Sequence, residues 1–287
     1  MRSILTASFA RVSALSLAAA VSLAPGVAHA GIEFVDQFRS RFSTQTGDGP
    51  AVTDLGYAFS TRLFASAPNF YNTVGMTGPG GTVDLTADVS NPSVYSYGSS
   101  LFASKSDMDA AFPIAATYDY LATSGSGPDA TSLTPGADDY PQSTPYLAGT
   151  TYSDLQGVNA GQAIQVAFSS FDTGGSASES FIFFTIFDLT LGQSVYDAGF
   201  LPATTTGVTL GAGVLQAGHS FSYELNFSNR ELVSTPGTGF DSQLGFDYRT
   251  SGTFSTSAVP EPSTLVLAGI GAVGILVSSR RGRRTAR

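Results

Sequence analysis

Cysteine and tryptophan are both missing from this 287-residue chain, and Lys105 is its single lysine. Without cysteine there is no disulfide staple, no thiolate nucleophile and no cysteine metal site, so core packing alone must hold the fold. Charge is scarce as well, at 12% of residues. Between Gly31 and Val259 there are 6 basic and 21 acidic residues, a balance of −15. Such a body repels nucleic acid, which is bound by basic patches, and it favours a solvated surface. Two histidines occur, His29 and His219, so histidine-cluster metal sites are excluded. What the chain has in quantity is Gly, Ser, Thr, Asp and aromatics, the stock of a turn-rich all-β extracellular protein.

The two ends differ from this body. Arg2 and Arg11 precede an apolar stretch from Val12 to Leu23, then Pro25 and the Ala28-His29-Ala30 triplet. Small residues at Ala28 and Ala30 predict a signal peptide over 1–30, cut by signal peptidase before Gly31. At the other end, Ser263 to Ser279 is uncharged and is followed by Arg280, Arg281, Arg283, Arg284 and Arg287. As a helix this stretch is about 26 Å long, close to the ~30 Å hydrocarbon core of a bilayer. A single transmembrane helix over 263–279 is expected, with the arginines as a stop-transfer signal on the cytoplasmic side. Pro260 and Pro262 lack backbone N–H groups and keep the segment in front of it extended.

Val259, Pro260, Glu261, Pro262, Ser263 and Thr264, with the apolar span and the arginine-rich terminus in that order, resemble the PEP-CTERM sorting signal of Gram-negative bacteria. The resemblance covers about the last 28 residues, here 258–287. It implies recognition by exosortase, a membrane protease-transpeptidase, in bacteria that usually make exopolysaccharide. It also implies a passage through the inner membrane to the cell surface or extracellular matrix.

Alternating hydrophobicity runs through the body. Phe221, Tyr223, Leu225 and Phe227 recur at every second position, which predicts a half-buried strand. Ser180 to Leu189 is apolar on both faces, as a covered central strand would be. Ala163 to Phe171, Gly207 to Leu210 and Phe246 to Phe254 are further strands, separated by turns at Asp172-Thr173-Gly174-Gly175, Gly192-Gln193 and Ala217-Gly218-His219. The order of these pieces, with Leu215 to Tyr223 reading L-x-A-G-x-x-F-x-Y, resembles a fibronectin type III-like or immunoglobulin-like sandwich. That resemblance spans about Pro145 to Thr256 and lacks the tryptophan core marker.

The earlier half reads less clearly. Phe34, Phe38 and Phe42 have helical spacing, yet they would equally cap a sheet. Short alternations occur at Thr82 to Val89, Val94 to Tyr97 and Thr117 to Leu121. A brief helix is expected from Asp107 to just before Pro113. Ser124 to Asp139 reads as a linker or a long loop. The fold class expected is all-β, an antiparallel sandwich of one or two units. Its divisions are a signal peptide (1–30), an N-terminal β-rich region (31–140), a fibronectin type III-like sandwich (141–257) and the sorting signal (258–287).

No catalytic constellation stands out. His219 has no serine in a G-x-S-x-G elbow to activate, and a solvated turn is its simpler reading. Glu224 lies opposite the aromatics of its strand and is expected to face water. Asp107 with Asp109, and Asp138 with Asp139, place oxygens together as calcium ligands or, more simply, as a helix start and an acidic turn. Tyr95, Tyr97, Tyr118, Tyr120 and Tyr140 either pack in a core or line a sugar-binding face. No catalytic residue, metal or cofactor is assigned. The reading is a non-catalytic exported surface or matrix protein, sorted by exosortase and associated with exopolysaccharide. A glycan- or calcium-binding module is the alternative, and a secreted hydrolase the third.

Overall fold

The computed structural model describes residues 31–258 apart from 176, 236, 237 and 239. The expected signal peptide, the Pro-Glu-Pro segment and the apolar span lie outside the described residues. Among those described, no helix is long and apolar enough to cross a membrane.

The first half holds β1 (Ile32–Gln45), β2 (Val52–Ala65), β3 (Thr73–Gly78), β4 (Gly81–Ala87), β5 (Val94–Gly98), the short helix α1 (Lys105–Ala111), β6 (Tyr118–Ser124) and β7 (Gly127–Leu133). The second half holds α2 (Thr151–Leu155), β8 (Ile164–Ala167), β9 (Glu179–Asp188), β10 (Gln193–Asp197), β11 (Leu201–Pro202), β12 (Gly207–Leu210), β13 (Ser220–Val233) and β14 (Ser242–Ser255). The chain is mostly β. One large sheet has the order β10-β9-β13-β14-β1-β2-β5-β4-β3-β6-β7, with β11 on β9, and β8 pairs separately with β12.

Among the described residues every strand pair is antiparallel but one. β1 and β14 run parallel, matched from Asp36 with Gln243 to Thr44 with Ser251. The all-antiparallel expectation is corrected there. A parallel pair needs a long crossover, and here the crossover is the rest of the described chain.

β1, β2, β13 and β14 each have 14 residues, which extends each to about 46 Å at ~3.3 Å per residue. That length accommodates two hydrophobic cores in succession on one face. The first gathers Val35, Phe59, Leu63, Met76, Tyr118, Tyr120, Leu133, Leu244 and Phe246 beneath the β3–β4–β6–β7 layer and α1. The second gathers Phe168, Ile182, Phe184, Ile186, Phe221, Tyr223, Phe227 and Phe254 with the β8–β12 pair and α2. β14 serves both, Leu244 and Phe246 at one end and Phe254 at the other. Gly245 and Gly252 lie under large cross-strand neighbours, Arg230 with Phe38 and Tyr223 respectively. A side chain at either glycine would collide with them.

Several local expectations change. Phe34, Phe38 and Phe42 sit on β1, not on a helix. Four is a multiple of the strand period of two, so their spacing fits one strand face as well as it fits a helix. The supposed linker at 124–139 contains β7, paired along its length with β6 from Tyr118–Leu133 to Ser124–Gly127. Helix α1 begins at Lys105, because Ser104 is the cap: its hydroxyl accepts from the Asp107 amide at 3.1 Å.

Candidate functional site

The sorting segment attaches where β14 ends. Thr256 forms an isolated parallel bridge with Val158. Its hydroxyl donates to the Gln216 carbonyl at 2.6 Å, and its amide donates to the His219 carbonyl at 3.0 Å. Ser257 donates its N–H to the Val158 carbonyl at 3.0 Å and accepts from Gly218 at 3.1 Å. The backbone is therefore held as far as Ser257.

His219 lies beside this clamp. Its Nδ1 is 2.7 Å from Asp188 Oδ2, while Asp188 Oδ1 accepts from the amides of Thr190 and Leu191 at 2.8 and 2.9 Å. Burial would raise the Asp188 carboxyl, but the His219 contact and the two amides outweigh it and hold it below the usual carboxylate range. The solvated-turn reading is corrected: the ring is partly buried and stacks near Phe221. The Thr190 hydroxyl beside this pair is already bonded, accepting from the Ser220 amide at 3.1 Å. The arrangement knits the β9–β10 turn to the start of β13.

The acidic pairs proposed for calcium separate. Asp109 and Asp138 converge, while Asp107 bonds the Ser104 hydroxyl at the start of α1. Arg39 and Lys105 stand at the convergence. Arg39 pairs with Asp109 and lies 3.6 Å from Asp138, and Lys105 reaches Asp109 at 2.5 Å and also pairs with Asp138. Two fixed cations occupy the place a metal ion would need. This cluster also docks α1, since Arg39 donates to the Phe112 carbonyl at 2.7 Å.

Opposite the two cores, the central sheet carries a charged face invisible in the sequence. Asp36 meets Arg62 at 2.6 Å, Asp247 meets Arg249 at 2.6 Å and Arg230 at 3.7 Å, and Glu224 lies 3.6 Å from Arg249. Arg62 and Arg230 lie over the Phe38 ring at 4.9 and 4.3 Å. Glu224 thus belongs to a charged network and is only partly exposed, contrary to expectation. Burial raises Asp36 despite Arg62. At Asp247 burial also pulls upward, but Arg230, Arg249 and the Ser228 hydroxyl prevail and lower it. With Arg41 bonded to Asp54, each of the six basic residues between Gly31 and Ala258 is engaged inside the molecule. The only sequence signal for this was the scarcity of cations.

Of the tyrosines considered for sugars, Tyr95, Tyr118, Tyr120 and Tyr140 are buried in the first core, with Tyr97 packed against it. They are packing residues.

Residues 258–284 match the PEP-CTERM protein-sorting motif. The chain carries a PEP-CTERM sorting signal. The match covers Val259, Pro260, Glu261, Pro262, Ser263 and Thr264 and the arginines from Arg280 to Arg284, and it begins within a residue of the clamp at Ser257. No curated protein matches the chain. Among solved structures, it is similar to one described as giving insight into host cell surface retention of a 1.5-MDa bacterial ice-binding adhesin. Identity there is 15%, TM-score 0.26, with 78% of this chain and 65% of that one covered. A Ca2+-stabilized adhesin of an Antarctic bacterium gives 15% identity and a TM-score of 0.25, over 80% of this chain and 50% of that one. Fibronectin(III)-like modules of Clostridium thermocellum CbhA give 12% and 0.22, over 72% and 88%. The chain thus spans less than two thirds of either adhesin chain, and superpositions this loose do not fix a fold.

Proposed function

We propose that this is a non-catalytic exported protein, released from its signal peptide between Ala30 and Gly31 and sorted to the cell surface or extracellular matrix by exosortase acting on its tail. The single observation carrying this reading is the sorting-motif match at residues 258–284. In the proposal, Val259 to Thr264 is the segment the processing enzyme grips. The apolar stretch to Ser279 holds the chain in the inner membrane during transit, and Arg280 to Arg284 stop its translocation. The acidic body is the cargo, an N-terminal region to about 140 and a sandwich beyond it, and it associates with exopolysaccharide outside the cell.

Mass spectrometry of the mature C-terminus in cells with and without exosortase tests the reading. Loss of the Arg280–Arg287 peptide only when exosortase is present is expected. An intact Arg287 on surface-located protein in exosortase-bearing cells would overturn it.

A further inference from the structure

Strands β1, β2, β5, β4, β3, β6 and β7 follow one another around the first core, and β7 comes back against β1. Among the described residues the two do not pair, so β7 is an edge strand bonded to β6 alone. Asp129 on β7 stands opposite Ala122, and cross-strand partners share a face. Ala122 is buried, so the Asp129 carboxylate points inward from the edge. There it accepts from the Tyr71 hydroxyl at 2.9 Å. Tyr71 is 4% exposed, and burial first, then this bond, raise its pKa and keep it a donor. No described cation pairs with Asp129. Arg39, Arg41, Arg62, Lys105, Arg230 and Arg249 all pair with other carboxylates. The neighbour of this carboxylate is Gly31, at the entry to β1. Gly31 is buried, its amide donates to the Ser66 hydroxyl at 3.1 Å, and its carbonyl accepts from the Ser66 amide at 3.1 Å. A Cβ on Gly31 would lie 3.8 Å from Asp129 Oδ2 and 3.9 Å from the Tyr71 hydroxyl oxygen.

We propose that Asp129 is the receptor for the α-ammonium that signal-peptide removal creates at Gly31, so that processing itself ties β1 to β7. It rests on the cleavage between Ala30 and Gly31 proposed above. Hydrolysis adds one water across that peptide bond: Ala30 leaves with the carboxylate, and Gly31 keeps a nitrogen that is protonated at neutral pH. The nitrogen that offered Ser66 one hydrogen as an amide then carries three and a full positive charge. Gly31 has no side chain, so turning about its Cα–C bond carries the ammonium into the vacant Cβ position, 3.8 Å from Asp129 Oδ2. A larger residue would bring its side chain against the carboxylate and Tyr71 instead. Cleavage thus supplies the cation that this inward carboxylate lacks. Before cleavage the same nitrogen is a neutral amide, and Asp129 has the Tyr71 hydroxyl alone. The seam between the first and last strands of the series therefore tightens only once the chain has been exported. Asp129 is partly exposed, which keeps the tie modest.

The test compares two forms of the full chain in the same detergent micelles. One is the precursor made in the cytoplasm with its signal peptide intact; the other is the exported form, its first residue read by mass spectrometry. Asp129→Asn should lower the melting temperature of the exported form by about 2–4 °C and that of the precursor by about 1 °C or less, the scale of a part-exposed ion pair in a body of this length. A second measurement does not depend on the melt. Reductive 13C-methylation labels two amines, the α-amine and Lys105, the single lysine. Asp129 and Tyr71 are the titratable groups nearest the α-amine, and NMR titration should place it above its ordinary value of about 7.7–8.0 in the exported wild type and return it there in Asp129→Asn. Equal melting losses in the two forms, or an unshifted α-amine, would overturn the proposal and leave the cleavage reading standing. An exported chain that begins elsewhere than Gly31 would overturn the cleavage reading and this inference with it.

Discussion

Two glutamines on one face of β1 show how differently the two cores are made. Gln37 donates to the Tyr120 hydroxyl at 2.8 Å in the first core, and Gln45 accepts from the Tyr223 hydroxyl at 2.9 Å in the second. Around Gln37 the polar bonding continues. Thr61 donates to the Asp36 carbonyl, which leaves the Tyr120 proton for the Thr61 oxygen at 2.6 Å, and the Arg39 cluster lies next along the same face. Around Gln45 the tie serves the backbone, its amide bonding Leu147 both ways, and the side chains beyond are phenylalanine and aliphatic. Beyond the Gln45 bonds the second core is held by shape, where a void costs most. The first is also pinned by directional bonds, which cost little individually and fix register.

That contrast can be broken at graded strengths. Phe184, fully buried against Phe168 and Tyr223, should lose about 3–5 kcal/mol on Phe184→Ala in urea unfolding, the cost of a large aromatic void. A loss under 1 kcal/mol would show the second core relaxing and the contrast would fail. Asp247→Asn comes next, at about 3 kcal/mol at neutral pH, because Arg230 and Arg249 are left without their carboxylate. The folded pKa of Asp247 is depressed. Its contribution is therefore complete above the unfolded carboxyl value of about 4 and is lost as pH falls through the folded value. The stability gap between wild type and variant should close below about pH 4, and a gap that widens on acidification would reverse the assignment. Smallest is the tyrosine pair. Tyr120→Phe removes two bonds from the first core and should cost ~1–2 kcal/mol, and Tyr223→Phe removes one from the second and should cost ~1 kcal/mol. Equal costs, or the reverse order, would erase the distinction drawn from the glutamines.

Local pattern was legible and long-range pairing was not. Phe221 to Phe227 alternates cleanly because one face of β13 is core, and Gly207 to Leu210 came out at its observed limits. β7 was hidden by its own composition: Gly127, Pro128 and Asp129 are turn residues, tolerated because an edge strand pairs on one side only. The parallel β1–β14 pair joins residues 207 apart, for instance Ser40 and Asp247, and no local period encodes such a partner. The calcium reading failed for the same reason. The acids were visible, whereas Arg39, which reaches Asp109 across 70 residues, was not. The sorting motif was legible because its residues are contiguous in the sequence.

The parallel pair has a mechanical meaning. β1 starts at the first-core end of the sheet and β14 finishes at the second-core end, where the bonds of Thr256 and Ser257 hold its end. Traction between the start of β1 and the end of β14 would slide these two parallel strands lengthwise past each other. Their hydrogen bonds lie across that direction and must yield together, not one after another as in an unzipping hairpin. Rupture under such shear is set by the height of an unfolding barrier. Pulled that way, the nine matched residue pairs of the β1–β14 seam share the load at once.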